Sequence, residues 1–475
     1  MKIPGVRQGA AAAVAGSNET VTQAMLEMRP QAIWQALRAE HVSVIALCIY
    51  LLFEYIKPEQ NYPIFGILPF LRIAWMISLV AAFSDKLAGV RNSPLNWLVP
   101  LFLVHCFASA VLAFDSAYSF QRLDVTYMWV LIFFLITGVI TTERRLFLFV
   151  IAYFIANLKM SQFGFFSWAK RGFGFANYGL TGAGWFRNSG ELGLEMTMFF
   201  AYTLCLAMLL RQYWSGWRKW LMYFLPFSAA AVVVGSSSRG AIVGAIAVLF
   251  YLSLFSRKKI RAWLSSSLLI VVAYYIMPPQ FIARFHTAGQ DPTSLSRIFY
   301  WAKAKEMMRA HPWFGAGYYN WIPYYKAHYF DPTLYWRVEE AHNTFWQLGA
   351  EIGYLGLGLF ILLIVVSFFM NWKSERLCRR PGFEFLRAWA LGMNAAGVGM
   401  VVASIFLTAW FMPNYWFHFA FTVVLRRAIN HKIAAAAAAT DITAVPVPEA
   451  GHPAVYPAPA GYSSYPGYPR HQGNR

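Results

Sequence analysis

Charge is what this sequence has least of. Only 13% of its 475 residues are Asp, Glu, Lys or Arg, about half the share that wets the surface of a soluble domain. With 58% hydrophobic residues and a mean hydropathy of +0.44, the shortage excludes a soluble globular protein. Acids are scarcer than bases, 21 against 40, giving a formal charge of +19. Only four cysteines occur (Cys48, Cys106, Cys205, Cys378), in apolar runs or a basic loop. Neither a disulfide framework nor a thiolate metal site is expected of them. No P-loop is present, and no strand precedes a Gly-rich run, so nucleotide hydrolysis is excluded. His286, His311, His328 and His342 include no i,i+4 pair and have no acidic cluster beside them. Neither a metal nor any other cofactor is expected. Residues 1–40 hold no short apolar core ending in a small-residue cleavage site, so no removable signal peptide is read.

What is present is apolar and recurrent. Helices are predicted near 42–56, 64–83, 95–114, 125–140, 146–158 and 190–210, then 219–235, 241–255, 262–277, 343–370, 386–409 and 413–425. Crossing about 30 Å of hydrocarbon takes roughly 20 residues, and only helices satisfy their own backbone in lipid. The expected class is an all-α polytopic membrane protein of about twelve transmembrane helices, occupying 41–426. A polar segment, 1–40, precedes it. An Ala block and then a Pro/Tyr-rich stretch, 433–475, follow and read as a disordered tail. Aromatics at 18%, with 19 Trp, suit the two membrane interfaces.

Six short segments, 84–92, 141–145, 211–219, 256–261, 371–387 and 426–432, alternate with the other loops and hold nearly half of all Lys and Arg. The positive-inside rule assigns them, with both termini, to the cytoplasm of a bacterial inner membrane. The positive charge is then mostly orientation beside anionic membrane lipids, and no nucleic-acid partner is expected.

Two segments on the opposite side are too long to be turns: 159–189 and, between helices nine and ten, 278–341. Long loops usually carry function. The first holds Lys159, Lys170, Arg171 and Arg187 and no acid, which suggests either an anionic partner or contact with lipid headgroups.

Polar groups also stand at the outer ends of helices in three places. GSSSRGA (235–241) puts Arg239 near the surface, where an arginine costs about 2–3 kcal/mol unless paired or wetted; Gly240 and Gly244 form a small-residue packing pair. In 294–321, Ser294 is expected to cap a helix reaching Ala310, with Arg297 in its opening turn and a Gly-rich PWFGAGYYNW turn behind. In 337–360, His342 and Asn343 mark the return to the membrane, behind Glu339 and Glu340; Gly349, Gly353 and Gly356 thin a face of the next helix. Two guanidinium groups suit a diphosphate, because each can bind oxygens bidentately. An imidazole beside them can deprotonate an attacking hydroxyl. That combination fits glycosyl transfer from a lipid diphosphate. A secondary transporter is the competing class, but SDKLAGVRN misses the Gly-x3-Asp-Arg-x-Gly transporter signature at Ala81 and Ala88, and the polar groups gather at one boundary.

SSSRGA (236–241), the run from Arg297 to Asn320 and HNTFWQLGAEIGYLG (342–356) resemble the O-antigen ligase and polymerase superfamily of bacterial envelope enzymes, over roughly 190–425. The resemblance implies transfer of a glycan from undecaprenyl diphosphate to an acceptor hydroxyl on the periplasmic side, without metal. The acceptor is a lipid A core sugar in a ligase, another glycan in a polymerase, or a protein in an O-oligosaccharyltransferase. It implies that Arg239 and Arg297 bind the diphosphate and that His342 assists the acceptor. Arg187, Lys170, Arg171, Asn343 and Glu340 are assigned to substrate binding.

Overall fold

The computed structural model describes residues 20–174, 179–256, 258–277, 279–333 and 338–443. Sixteen helices position the site and its surroundings: α1 (Pro30–Arg38), α2 (Val42–Ile56), α3 (Phe70–Ala82), α4 (Pro94–Val111), α5 (Ser116–Val139), α6 (Glu143–Lys170), α7 (Ser189–Leu210), α8 (Gly216–Gly235), α9 (Arg239–Phe255), α10 (Lys259–Ile276), α11 (Pro279–His286), α12 (Pro292–Ala310), α13 (Trp321–His328), α14 (Thr344–Leu377), α15 (Glu384–Ala403) and α16 (Pro413–Thr443). No strand occurs among the described residues. Each of the twelve apolar segments read from the sequence contains a helix, several with shifted ends. Among the described residues seven helices, α4, α5, α6, α7, α10, α14 and α15, are long and apolar enough to cross a membrane, and α2, α3 and α9 are shorter apolar ones, so the twelve spans expected are not established as a count. The chain is an all-helical membrane protein.

Where helix ends depart from expectation, capping and polar extensions are the reason. α5 starts at Ser116 because Asp115 accepts from Tyr118 N–H, a cap worth about 1 kcal/mol. The first long outer segment was expected to begin at 159, but α6 continues to Lys170. The second, 278–341, holds α11, α12 and α13. The tail expected to be disordered from 433 is helical to Thr443, since its Ala block is the strongest helix former there is. The rest of that tail lies outside the described residues, as do 1–19.

α15 is the central strut, packed against α7, α9 and α14. The α9–α15 crossing is close because it is glycine on glycine. A Cβ added at Gly244 would lie 2.8 Å from the Gly399 carbonyl oxygen, and one at Gly240 2.8 Å from Phe406 Cβ. The small pair read at Gly240 and Gly244 is therefore a packing device.

The basic loops all lie at one end. Buried Arg145 binds Asp85 at 2.8 Å and Glu40 at 3.0 Å. Lys432 binds Glu143 at 2.8 Å and also the Gly382 carbonyl. Arg427 donates to the carbonyls of Gly89 and Thr137. Arg211, Lys258, Arg261, Arg379 and Arg387 line one cavity at that same end. Helix direction then carries Arg239, the first residue of α9, and Thr344, the first of α14, to the opposite end.

Candidate active site

The site is organised by α12. Its N-cap is Asp291 rather than Ser294: the aspartate accepts from Ser294 N–H at 3.1 Å, and Pro292 takes the first helical position. Proline at N1 supplies the right φ and forfeits only an N–H that has no partner anyway. The same carboxylate accepts from the Ser294 hydroxyl at 2.5 Å and pairs with Arg239 at 3.0 Å. A second Arg239 nitrogen donates to Ser294 Oγ at 3.1 Å. Partial burial works to raise the Asp291 pKa, but the hydrogen bonds from Ser294 and Arg239 prevail and hold it at about 2. A serine cap on α9, Ser238 accepting from Ala241 N–H, follows the left-handed Ser237 (φ 52°) and fixes where Arg239 leaves the backbone.

Ser294, Arg297 and Trp301 fall at i, i+3 and i+7 and share one stripe of α12. At 1.5 Å per residue the stripe is about 10 Å long. Arg239 meets it at Ser294. At its other end the Trp301 indole donates to the Ala341 carbonyl at 2.9 Å. Ala341 precedes His342. Arg297 thus lies on α12 between the residue that Arg239 reaches and the one that ties the histidine turn.

The histidine turn is held from several directions. Trp321 Nε1 donates to the Glu339 carbonyl at 2.8 Å. Ala341 N–H donates to Gln347 Oε1 at 2.9 Å, which also accepts the Thr408 hydroxyl at 2.8 Å. His342 itself has φ 51°, a left-handed conformation costing a non-glycine residue about 1–3 kcal/mol. Its side chain is 21% exposed, with Nε2 3.8 Å from Glu339. The imidazole is therefore presented to the outside on a rigid mount. Asn343 has a different job from the one expected: its buried Oδ1 accepts from the N–H groups of Phe345 and Trp346, both at 3.0 Å, and caps α14. It sets the position of His342.

α14 does not continue straight. Gly353 has φ 72° and ψ −179° and breaks the helix. A glycine face thinned for packing was expected, but Gly353 instead lets the PWFGAG turn lie backbone to backbone with the break. Ala316 N–H donates to Ala350 O at 2.9 Å, Gly317 N–H to Glu351 O at 3.0 Å and Tyr354 N–H to Pro312 O at 2.8 Å. The freed Ile352 carbonyl lies 2.8 Å from His105 Nε2, and Ser109 donates to Glu351 O at 3.2 Å. Broken helices survive at membrane depth only when their backbone groups are met in this way.

Glu340 sits behind His342. Burial, then the neighbouring Glu191 carboxylate, outweigh the Thr408 hydroxyl and push its pKa up to about 7. A carboxyl raised in the folded state favours folding while protonated; that stability is full below about pH 4.5 and is lost as pH rises through 7. Glu340→Gln is therefore expected to raise the melting temperature at pH 8 by roughly 2–4 °C and to leave it unchanged at pH 4.5, read by fluorimetry in detergent.

The remaining expected residues form the surroundings. Arg187 is exposed and precedes Asn188, which caps α7 in a box with Glu191. The start of α7 touches Leu407 at Gly190, and the Leu407 carbonyl accepts from Thr344 Oγ1 at 2.7 Å, so Arg187 borders the mouth of α14. Lys170 and Arg171 are exposed at the end of α6. Two residues before, Trp168 packs on Gly235, placing them near the start of the α8–α9 turn. Asp291, Trp301, Gln347 and Thr408 were not singled out from the sequence. A carboxylate three residues before Ser294 was the available signal for the first.

Residues 224–361 match the family model described as O-antigen ligase. Over that stretch, less than a third of the chain, the sequence is similar to the O-antigen ligase family. The match spans Arg239, Arg297, Glu340, His342 and Asn343, and leaves Lys170, Arg171 and Arg187 outside it. Among the curated proteins compared, none matches the chain. The match supports a glycan-handling role of the ligase and polymerase type.

Proposed function

We propose that the protein transfers a glycan from undecaprenyl diphosphate to an acceptor hydroxyl, a lipid A core sugar, at the periplasmic face of the bacterial inner membrane. The observation that carries this reading is the α12 stripe, which joins Arg239 to the turn of His342 at the end opposite the basic loops. His342 takes the proton as the acceptor oxygen attacks the anomeric carbon. The bond from that carbon to the diphosphate breaks, and its electron pair leaves on undecaprenyl diphosphate. Arg239 and Arg297 neutralise the charge that develops there. Asp291, already paired with Arg239, holds the guanidinium until the donor's oxygens take it over. Orientation follows from the six basic loops as the cytoplasmic side.

Deleting the gene and analysing the envelope tests this directly. Unligated lipid-linked glycan should accumulate, with lipopolysaccharide bearing bare core. Core carrying a single repeat would indicate a polymerase, and loss of glycan from proteins an O-oligosaccharyltransferase. An envelope unchanged in all three respects would sink glycan transfer altogether.

A further inference from the structure

At the end of the helices opposite the candidate active site, a cavity of about 720 Å³ opens between α7, α9, α10, α14 and α15. Its size falls in the usual range for ligand sites. Arg211, Lys258, Arg261, Arg379 and Arg387 line it, with Glu375 as the one carboxylate. Glu375 is already engaged, at 2.9 Å by Arg379 and 3.2 Å by Arg387. Arg211, Lys258 and Arg261 are exposed, so the mouth is left strongly positive. The wall between the helices is of another chemistry: Leu204, Met208, Leu249, Leu252 and Leu269 are apolar, with Leu249 and Leu252 buried and Met208 and Leu269 exposed toward the lipid side. Among the described residues α10 forms the outer side of the cleft without burying a single residue, and Ser253 and Ser266, 2.9 Å apart, tie it to α9.

A positive rim over an apolar slot that opens between helices has the polarity of a membrane lipid's headgroup and the acyl chain beneath it. We infer that this cavity is a binding site for an anionic phospholipid of the surrounding leaflet. The headgroup phosphate sits among Arg211, Lys258 and Arg261, and acyl chain fills the slot behind α10. Interhelical basic pockets on this side of a membrane are suited to such headgroups, whereas a zwitterionic lipid brings a cation into the same rim. The site is independent of the glycan-transfer reading, because it lies at the other end of every helix that contributes to it.

Native mass spectrometry of the purified full-length protein, titrated separately with phosphatidylglycerol and phosphatidylethanolamine, tests it. Phosphatidylglycerol should bind at least ten-fold more tightly and as a single tight adduct. The double substitution Lys258→Gln/Arg261→Gln should weaken that adduct about thirty-fold, roughly five-fold for each basic residue, with an unchanged melting temperature in lipid-free detergent. Arg211→Gln, at the end of α7 rather than on α10, should weaken it about five-fold and guards against misfolding of the double variant. Equal binding of the two lipids, or equal binding by wild type and variants, would overturn the site. Tighter binding of undecaprenyl monophosphate than of phosphatidylglycerol would overturn the assignment of its occupant.

Discussion

Replacing His342 with alanine is expected to lower the rate of glycan transfer by 10²–10⁴, the usual contribution of a positioned proton acceptor, while the protein still inserts and melts normally. The expectation of a normal fold has its own physical ground. His342 is left-handed, with φ 51°, so its removal releases no favourable backbone geometry. Its one described side-chain contact is Glu339 at 3.8 Å, a partly exposed pair of the kind worth little to stability. The turn itself is fixed by others: Trp301 and Gln347 on Ala341, Trp321 on Glu339, and Asn343 on α14. His342→Ala should therefore separate chemistry from structure, with kcat falling and donor KM nearly unchanged. Purified protein in detergent, given lipid diphosphate donor and core acceptor, provides the measurement. Wild-type kcat in the alanine variant would remove the histidine from the reaction.

The arginines should behave differently. Arg239→Ala and Arg297→Ala are each expected to cost 10²–10³ in transfer, as expected when a group that meets developing charge is removed. Arg297→Lys should recover little of that, since an ammonium has the charge without the planar fork. Arg239→Ala carries a second effect. It leaves Asp291, whose pKa is held at about 2 by Ser294 and Arg239, with the serine alone. The carboxylate's stability contribution, present above pH 3.8 and lost as pH falls through 2, should shrink in this variant. A wild-type rate for Arg297→Lys would argue against bidentate grip of the donor.

Much of this architecture was legible because lipid is a severe solvent. Backbone that cannot meet water must be helical, so apolar runs translate directly into helices, and alternating basic loops sort their ends. That Arg239, Arg297 and His342 stand at the same end of the helices could be anticipated only from the polarity of helix ends. What escaped was contact between residues remote in sequence. Nothing local says that Asp291 reaches across 52 positions to Arg239, or that Gln347 turns back to hold Ala341 and Thr408. The break at Gly353 was equally hidden: Gly349 and Gly356 are the same residue type nearby, and only the approach of Pro312 and Gly317 selects the one that unwinds. The early stop assigned to α6 had a simpler cause. Polar Asn157, Lys159 and Ser161 resemble a helix end, yet Asn157 and Ser161 are buried in packing.

The claim on which the account turns is that Arg239 and Arg297 grip one diphosphate. The most direct measurement is a double-mutant cycle on single-turnover transfer, comparing Arg239→Ala, Arg297→Ala and the variant carrying both. Groups that share a ligand couple, so the double variant is predicted to fall within ten-fold of the slower single one. A loss equal to the product of the two single losses would mean that the arginines act at separate places, and would contradict the site.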